Sequence, residues 1–118
     1  MAATFDVLSN GRLKFCIGAG WYEPEYRAYS IDYADLVTRI SQLKESVQII
    51  KKMWTEEHSS FEGKYYHIHH AICNPKLVQK PHPPIWIGGK GEKLILRAVA
   101  EFAQRSNFVV CTPQECKD

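Results

Sequence analysis

Neither sign of charge dominates this chain. Fifteen Lys and Arg stand against 13 Asp and Glu, a net charge of +2, which is too small to mark a nucleic-acid or polyanion binder. Long hydrophobic runs are missing as well: no stretch approaches the roughly 20 apolar residues of a membrane span. The opening Met1-Ala-Ala-Thr-Phe-Asp brings an acid at once and no apolar run, so it does not read as a secretory signal. Cysteine is scarce, with only Cys16, Cys73, Cys111 and Cys116. Without a signal, these fit reduced thiols in a cytoplasmic protein better than a disulfide framework. No internal repeat or low-complexity segment interrupts the pattern. What remains is ordinary globular composition, 118 residues of which 45% are hydrophobic and 12% aromatic, enough for the core of one domain.

The pattern alternates in period along the chain. Ala2 to Leu8 reads as closing turns of a helix, stopped by Ser9-Asn10-Gly11. Leu13 to Ile17 reads as a strand running into Gly18-Ala19-Gly20, and Trp21 to Ser30 as a loop enclosing a short helix. From Tyr33 to Thr55, the residues Leu36, Ile40, Leu43, Val47, Ile50 and Trp54 recur at spacings of four and three, which predicts a long helix with one buried face. Asp32 is expected to cap it, with Asp35 adding negative charge to its first turn. Phe61 to Ile68 reads as a small β-excursion around Gly63-Lys64. Asn74 to Pro84 holds four of the six prolines and is expected to be extended loop. Pro84 to Ile87 is a short strand ending in glycines, Glu92 to Ala103 a second helix, and Phe108-Val109-Val110 a third strand. Thr112-Pro113 resembles a helix start. Strands alternating with helices point to an α/β fold built from parallel βαβ crossovers.

Chemistry is concentrated where strands run out through glycine. In Ile85-Trp86-Ile87-Gly88-Gly89-Lys90-Gly91-Glu92 a strand passes directly into a helix. Backbone N–H groups there can face an anion, with lysine charge nearby. The spacing is neither that of a P-loop nor that of a dinucleotide fingerprint, and a plain tight βα turn would also use these residues. Gly18-Ala19-Gly20-Trp21 ends another strand. On strands that run the same way, both ends would share one rim, the face on which α/β proteins bind ligands. Trp21, Tyr22, Tyr26 and Tyr29 suit either stacking on a planar ring or packing among themselves. Glu23 and Glu25 read as solvated acids. His67, His69, His70 and Cys73 match no standard zinc spacing. Cys111 and Cys116 read as a core residue and a frayed one, and no nucleophilic triad can be placed.

Four segments in order carry a resemblance. They are Ala3 with Asp6-Val7-Leu8-Ser9-Asn10-Gly11-Arg12; Gly18-Ala19-Gly20-Trp21 with Glu25-Tyr26; Phe61-Glu62-Gly63-Lys64-Tyr65-Tyr66; and Asn74-Pro75-Lys76 with Gln79-Lys80-Pro81-His82-Pro83-Pro84-Ile85-Trp86-Ile87-Gly88-Gly89. Together they resemble the luciferase-like monooxygenase family, especially its members that use the deazaflavin coenzyme F420 in place of FMN. The resemblance implies a (β/α)8 barrel and hydride transfer or monooxygenation through F420 or FMN. It makes Gly88, Gly89, Lys90, Gly91 and Glu92 the coenzyme's phosphate-binding strand end, and Gly18, Ala19, Gly20 and Trp21 the neighbouring wall. It names no catalytic residue and no metal. Cys16, Ser30, Leu77, Lys90 and Gln104-Arg105-Ser106 depart from the family's usual residues.

A complete barrel needs about 250 residues. The expectation is therefore a single truncated domain over 1–118, a partial TIM-barrel segment either rearranged into an open sheet or completed by oligomerisation. Its exposed strand edges favour self-association, as a homodimer or larger. As a segment it is expected to be inactive alone; the alternative is a non-catalytic α/β binding or oligomerisation protein derived from a barrel fragment.

Overall fold

The computed structural model describes residues 1–89 and 94–107. Helix α1 (Ala2–Leu8) ends where Asn10 and Gly11 turn left-handed, at φ of 54° and 77°. There the Ser9, Asn10 and Gly11 amides return to the carbonyls of Phe5, Val7 and Asp6, so the stop signal works as its turn chemistry requires. Strand β1 (Phe15–Gly18) follows, then the short helix α2 (Glu23–Ala28) and the long helix α3 (Leu36–Thr55). An antiparallel hairpin of β2 (Ser59–Glu62) and β3 (His67–Ala71) precedes β4 (Ile85–Gly88), α4 (Leu94–Phe102) and β5 (Arg105–Asn107).

The main sheet has the order β1-β4-β5 and is parallel throughout. Phe15, Cys16, Ile17 and Gly18 lie opposite Ile85, Trp86, Ile87 and Gly88, so the two glycine-terminated strands end level with each other. The α/β class with parallel strands is as expected. Phe15, Ile17, Ile85 and Ile87 face the helices, where Ile40, Leu43, Val47 and Trp54 of α3 and Ile95 of α4 complete the core. The Phe15 and Trp54 rings meet edge to face at 5.0 Å. The other residues of each strand point the opposite way: Cys16 is exposed, and Trp86 is half-buried beneath the Arg105 guanidinium, 5.3 Å from its ring. Helices thus cover one face of a parallel sheet, a class normally covered on both.

Several expectations shift. Asp35, not Asp32, caps α3: its carboxylate accepts from the Val37 and Thr38 amides at 3.1 and 3.3 Å and from the Thr38 hydroxyl at 2.5 Å. The helix starts at Leu36 because Tyr33 is drawn aside, its hydroxyl donating to the Trp21 carbonyl. Leu36 itself is 49% exposed, the one member of the apolar stripe that leaves the core. The third strand of the sheet forms at Arg105–Asn107, earlier than expected, while Phe108 to Val110, the Thr112-Pro113 helix start, Cys111 and Cys116 lie outside the described residues.

Two carboxylates, Asp6 fully buried and Glu45 half-buried, fix the connections. Asp6, fully buried in α1, accepts from the Val78 and Gln79 amides at 2.8 and 3.0 Å and from the Gln79 side-chain amide at 2.8 Å. That side-chain amide also donates to the Leu13 carbonyl, tying α1, the approach to β1 and the proline-rich loop into one knot. At the hairpin, the Glu45 carboxylate of α3 accepts from three successive amides, Lys64, Tyr65 and Tyr66, at 2.8, 2.9 and 3.0 Å. Burial works to raise the Glu45 pKa, but these amides, together with the nearby His67, hold it below the usual carboxylate value. A Cβ on Gly63 would lie 2.5 Å from Glu45 Oε2, so glycine is what lets the turn close on the acid. Beyond the hairpin, Lys76 donates to the Met53 and Glu56 carbonyls at the end of α3, a cationic cap of the kind favoured there.

Candidate functional site

Level strand ends make the site. Because β1 and β4 are parallel and paired Gly18 to Gly88, the chain leaves both at the same height. A cavity of about 420 Å³ opens there, lined by Gly18, Ala19, Gly20, Trp21, Gly88 and Gly89 together with Leu36, Arg39 and Ile95. Its size falls within the span of small-molecule pockets, about 300–1,000 Å³. The two glycine-rich ends singled out in the sequence, 70 residues apart, therefore surround one space. Lys90, Gly91 and Glu92 of the same motif lie outside the described residues.

Close packing explains the small residues. A Cβ at Gly18 would sit 3.1 Å from the Gly88 carbonyl oxygen. Gly20 has φ of +77°, and a side chain there would overlap the Tyr26 hydroxyl. Tyr26 in turn meets Tyr33 edge to face at 5.0 Å. Two of the four aromatics in the sequence cluster thus divide their work: Tyr26 supports the glycine turn from below, and Trp21, 81% exposed and tilted against Tyr22 at 5.2 Å, stands at the rim. Tyr29 is exposed.

A second cavity of about 340 Å³ adjoins the first and shares Gly18, Ala19 and Arg39 with it. Its remaining wall includes Tyr26, Asp32, Gln42, Ser46 and Tyr66, so it is the more polar of the two. Arg39 separates the cavities. Its guanidinium carbon lies 4.1 Å from the centre of the Tyr33 ring, and one terminal nitrogen donates to the Ala34 carbonyl. Sequence reading passed over this arginine, since a lone cation on a helix is usually solvated; only packing reveals that it stands at a ligand-sized space. Leu36, assigned to the apolar stripe of α3, and Ile95 of α4 supply the cavity's greasy wall.

The other candidates disperse. Glu23 pairs with Arg27 at 2.6 Å on the surface. His67 binds Glu62 at 3.0 Å, the His69 and His70 rings meet at 4.3 Å, and His70 has φ of +47°, which breaks the strand's alternation. Among the described residues no group of three metal-ligating side chains forms, and no helix is long and apolar enough to cross a membrane.

Comparison with known proteins places this geometry in context. A model of the luciferase-like monooxygenase family matches residues 1–117. Over 103 residues the chain is 31% identical to an FMNH2-dependent dimethylsulfone monooxygenase of Pseudomonas putida, covering 87% of this chain and 27% of that protein. Over 115 residues it is 34% identical to an F420-dependent glucose-6-phosphate dehydrogenase of Kineococcus radiotolerans, covering 93% and 31%. The coenzyme F420-dependent tetrahydromethanopterin reductase of Methanopyrus kandleri superposes with a TM-score of 0.83 at 20% identity, over 97% of this chain and 35% of that one. This last likeness concerns the fold, and the parallel βαβ arrangement is consistent with a segment of a barrel. The chain spans about a third or less of the length of these relatives.

Proposed function

The chain belongs to the luciferase-like monooxygenase family, and from that premise we propose that it carries part of the coenzyme pocket of an F420- or FMN-dependent oxidoreductase. One observation carries this reading: the in-register parallel pairing that sets Gly18 beside Gly88 and gathers both glycine ends around a single cavity. The residues fit such a group. Gly18, Gly88 and Gly89 let a ligand approach backbone, Ala19, Leu36 and Ile95 exclude water from one side, and exposed Trp21 offers a flat face at the rim. A bound flavin or deazaflavin supplies two-electron, hydride-level chemistry. The chain's own residues hold and orient it, and in this reading they bind it without turnover until further strands close the pocket.

Titration of the purified chain with F420 and with FMN, followed by fluorescence, tests this. Saturable binding is expected for at least one. Gly89→Asp is expected to abolish it, by placing negative charge at the strand end. Gly89 has φ of +154°, and a Cβ there would lie 2.6 Å from Ile95 Cδ1, so Gly89→Ala is the control that carries the strain without the charge. Binding that survives Gly89→Asp, or wild type that binds neither coenzyme, removes the reading.

The bare face of the sheet, with Cys16 exposed and the outer edge of β1 unpaired among the described residues, favours a second reading, in which the chain acts through self-association. Sedimentation is then expected to show a homodimer or larger species. A compact monomer at high concentration counts against it.

A further inference from the structure

We infer that three copies of this chain close head to tail into one ring, the outer edge of β1 in each copy pairing with the outer edge of β5 in the next. The inference deepens the pocket reading and rests on it for the ligand: the strands that close the Gly18–Gly89 space come from a second copy.

The bare face of the sheet sets the requirement. Cys16, Trp86 and Arg105 lie opposite one another across β1, β4 and β5 and form one row on that face, with Cys16 and Arg105 exposed. A parallel sheet with helices on one side covers its other side by curling until the inner face meets itself, as in a barrel. Among the described residues β1 and β5 each keep one unpaired edge. Because the sheet is parallel throughout, the free edge of β5 matches the free edge of β1 in another copy with strand direction kept. Such a head-to-tail contact generates a ring when its rotation closes. Pairing of β1 with its own copy across a two-fold axis makes a wider open sheet instead, and the bare face stays uncovered.

Size sets the copy number. The chain spans 35% of the tetrahydromethanopterin reductase on which it superposes, so three copies come to roughly one such chain. Three copies of a three-stranded sheet make nine strands, one more than a (β/α)8 barrel holds. Two copies make six, too narrow a ring for rows that contain Trp86 and Arg105. The strand ends agree with this closure. Gly18, Gly88 and Asn107 stand level, so the end of the neighbouring copy's β5 arrives beside Gly18, at the mouth of the cavity.

Sedimentation of the purified chain is expected to give a trimer. Cys16→Lys puts charge inside the ring without touching the helix-covered core. It is expected to leave a folded monomer whose FMN affinity is about tenfold lower. Ala100→Lys, the same charge on the exposed side of α4, is expected to stay trimeric. If Cys16→Lys fails to fold, alkylation of wild type carries the test: peptide mass mapping is expected to show Cys16 reacting about tenfold more slowly in the assembly than after dilution to monomer. A monomer or dimer at high concentration, a trimer that survives Cys16→Lys, or equal alkylation in both states overturns the ring. A wild-type monomer that saturates with FMN keeps the pocket reading while the ring falls. A trimer that binds neither FMN nor F420 keeps the ring while that reading falls.

Discussion

Asp6→Ala is expected to lower the midpoint of thermal unfolding by about 10 °C, from a loss of about 3 kcal/mol. The side chain is fully buried, and three donors converge on it from residues 72 and 73 positions away. Removing the carboxylate leaves the Val78 and Gln79 amides inside the protein without acceptors, and an orphaned buried donor costs more than the bond itself contributes. Asp6→Asn is expected to fare little better, because its NH2 group would face donors. Burial acts to raise the Asp6 pKa, but the Gln79 and Val78 hydrogen bonds outweigh it, so the folded value lies below 3.8. The sign of the pH dependence follows. The stabilisation is fully present above the unfolded-state value and falls away as pH drops through the lower folded one. Acid unfolding curves of wild type and Asp6→Asn should therefore converge at low pH. Parallel curves would mean that Asp6 is not the group being titrated.

The second large effect is expected at the centre of the sheet. Ile87 is fully buried on β4, paired on one side with Ile17 and on the other with Ser106, one residue before the glycine that lines the cavity. Ile87→Ala removes three buried carbons where paired strands and two helices restrict collapse, and a cost of about 3–4 kcal/mol follows. Denaturant titration measures it. A loss below about 1 kcal/mol would show that the helices relax into the space. Because the strand end moves with the core beneath it, ligand affinity should fall in this variant too. Asp6→Ala instead loosens the loop that feeds β4.

Much of this was legible along the chain. The stop at Ser9-Asn10-Gly11, the stripe of α3, the hairpin around Gly63-Lys64 and the strand before Gly88 are local patterns, and local geometry honours them. Reading was weakest where a long-range contact competes with a local one. Asp32 was expected to cap α3, yet Asp35 does so, with Tyr33 between them held to the Trp21 carbonyl 12 residues earlier. Leu36 fits the buried stripe by spacing, yet it faces a cavity because no strand or helix among the described residues packs over it.

Residue order alone determined that strands alternate with helices and that two of the strands run out through glycine, since periodicity and backbone freedom are properties of neighbouring residues. That Gly18 and Gly88 stand level, that Arg39 comes to lie between two cavities, and that Asp6 closes on Gln79 were decided only by folding. Each depends on parallel register or on burial, which act between residues far apart in the chain and leave no mark in the spacing of either one.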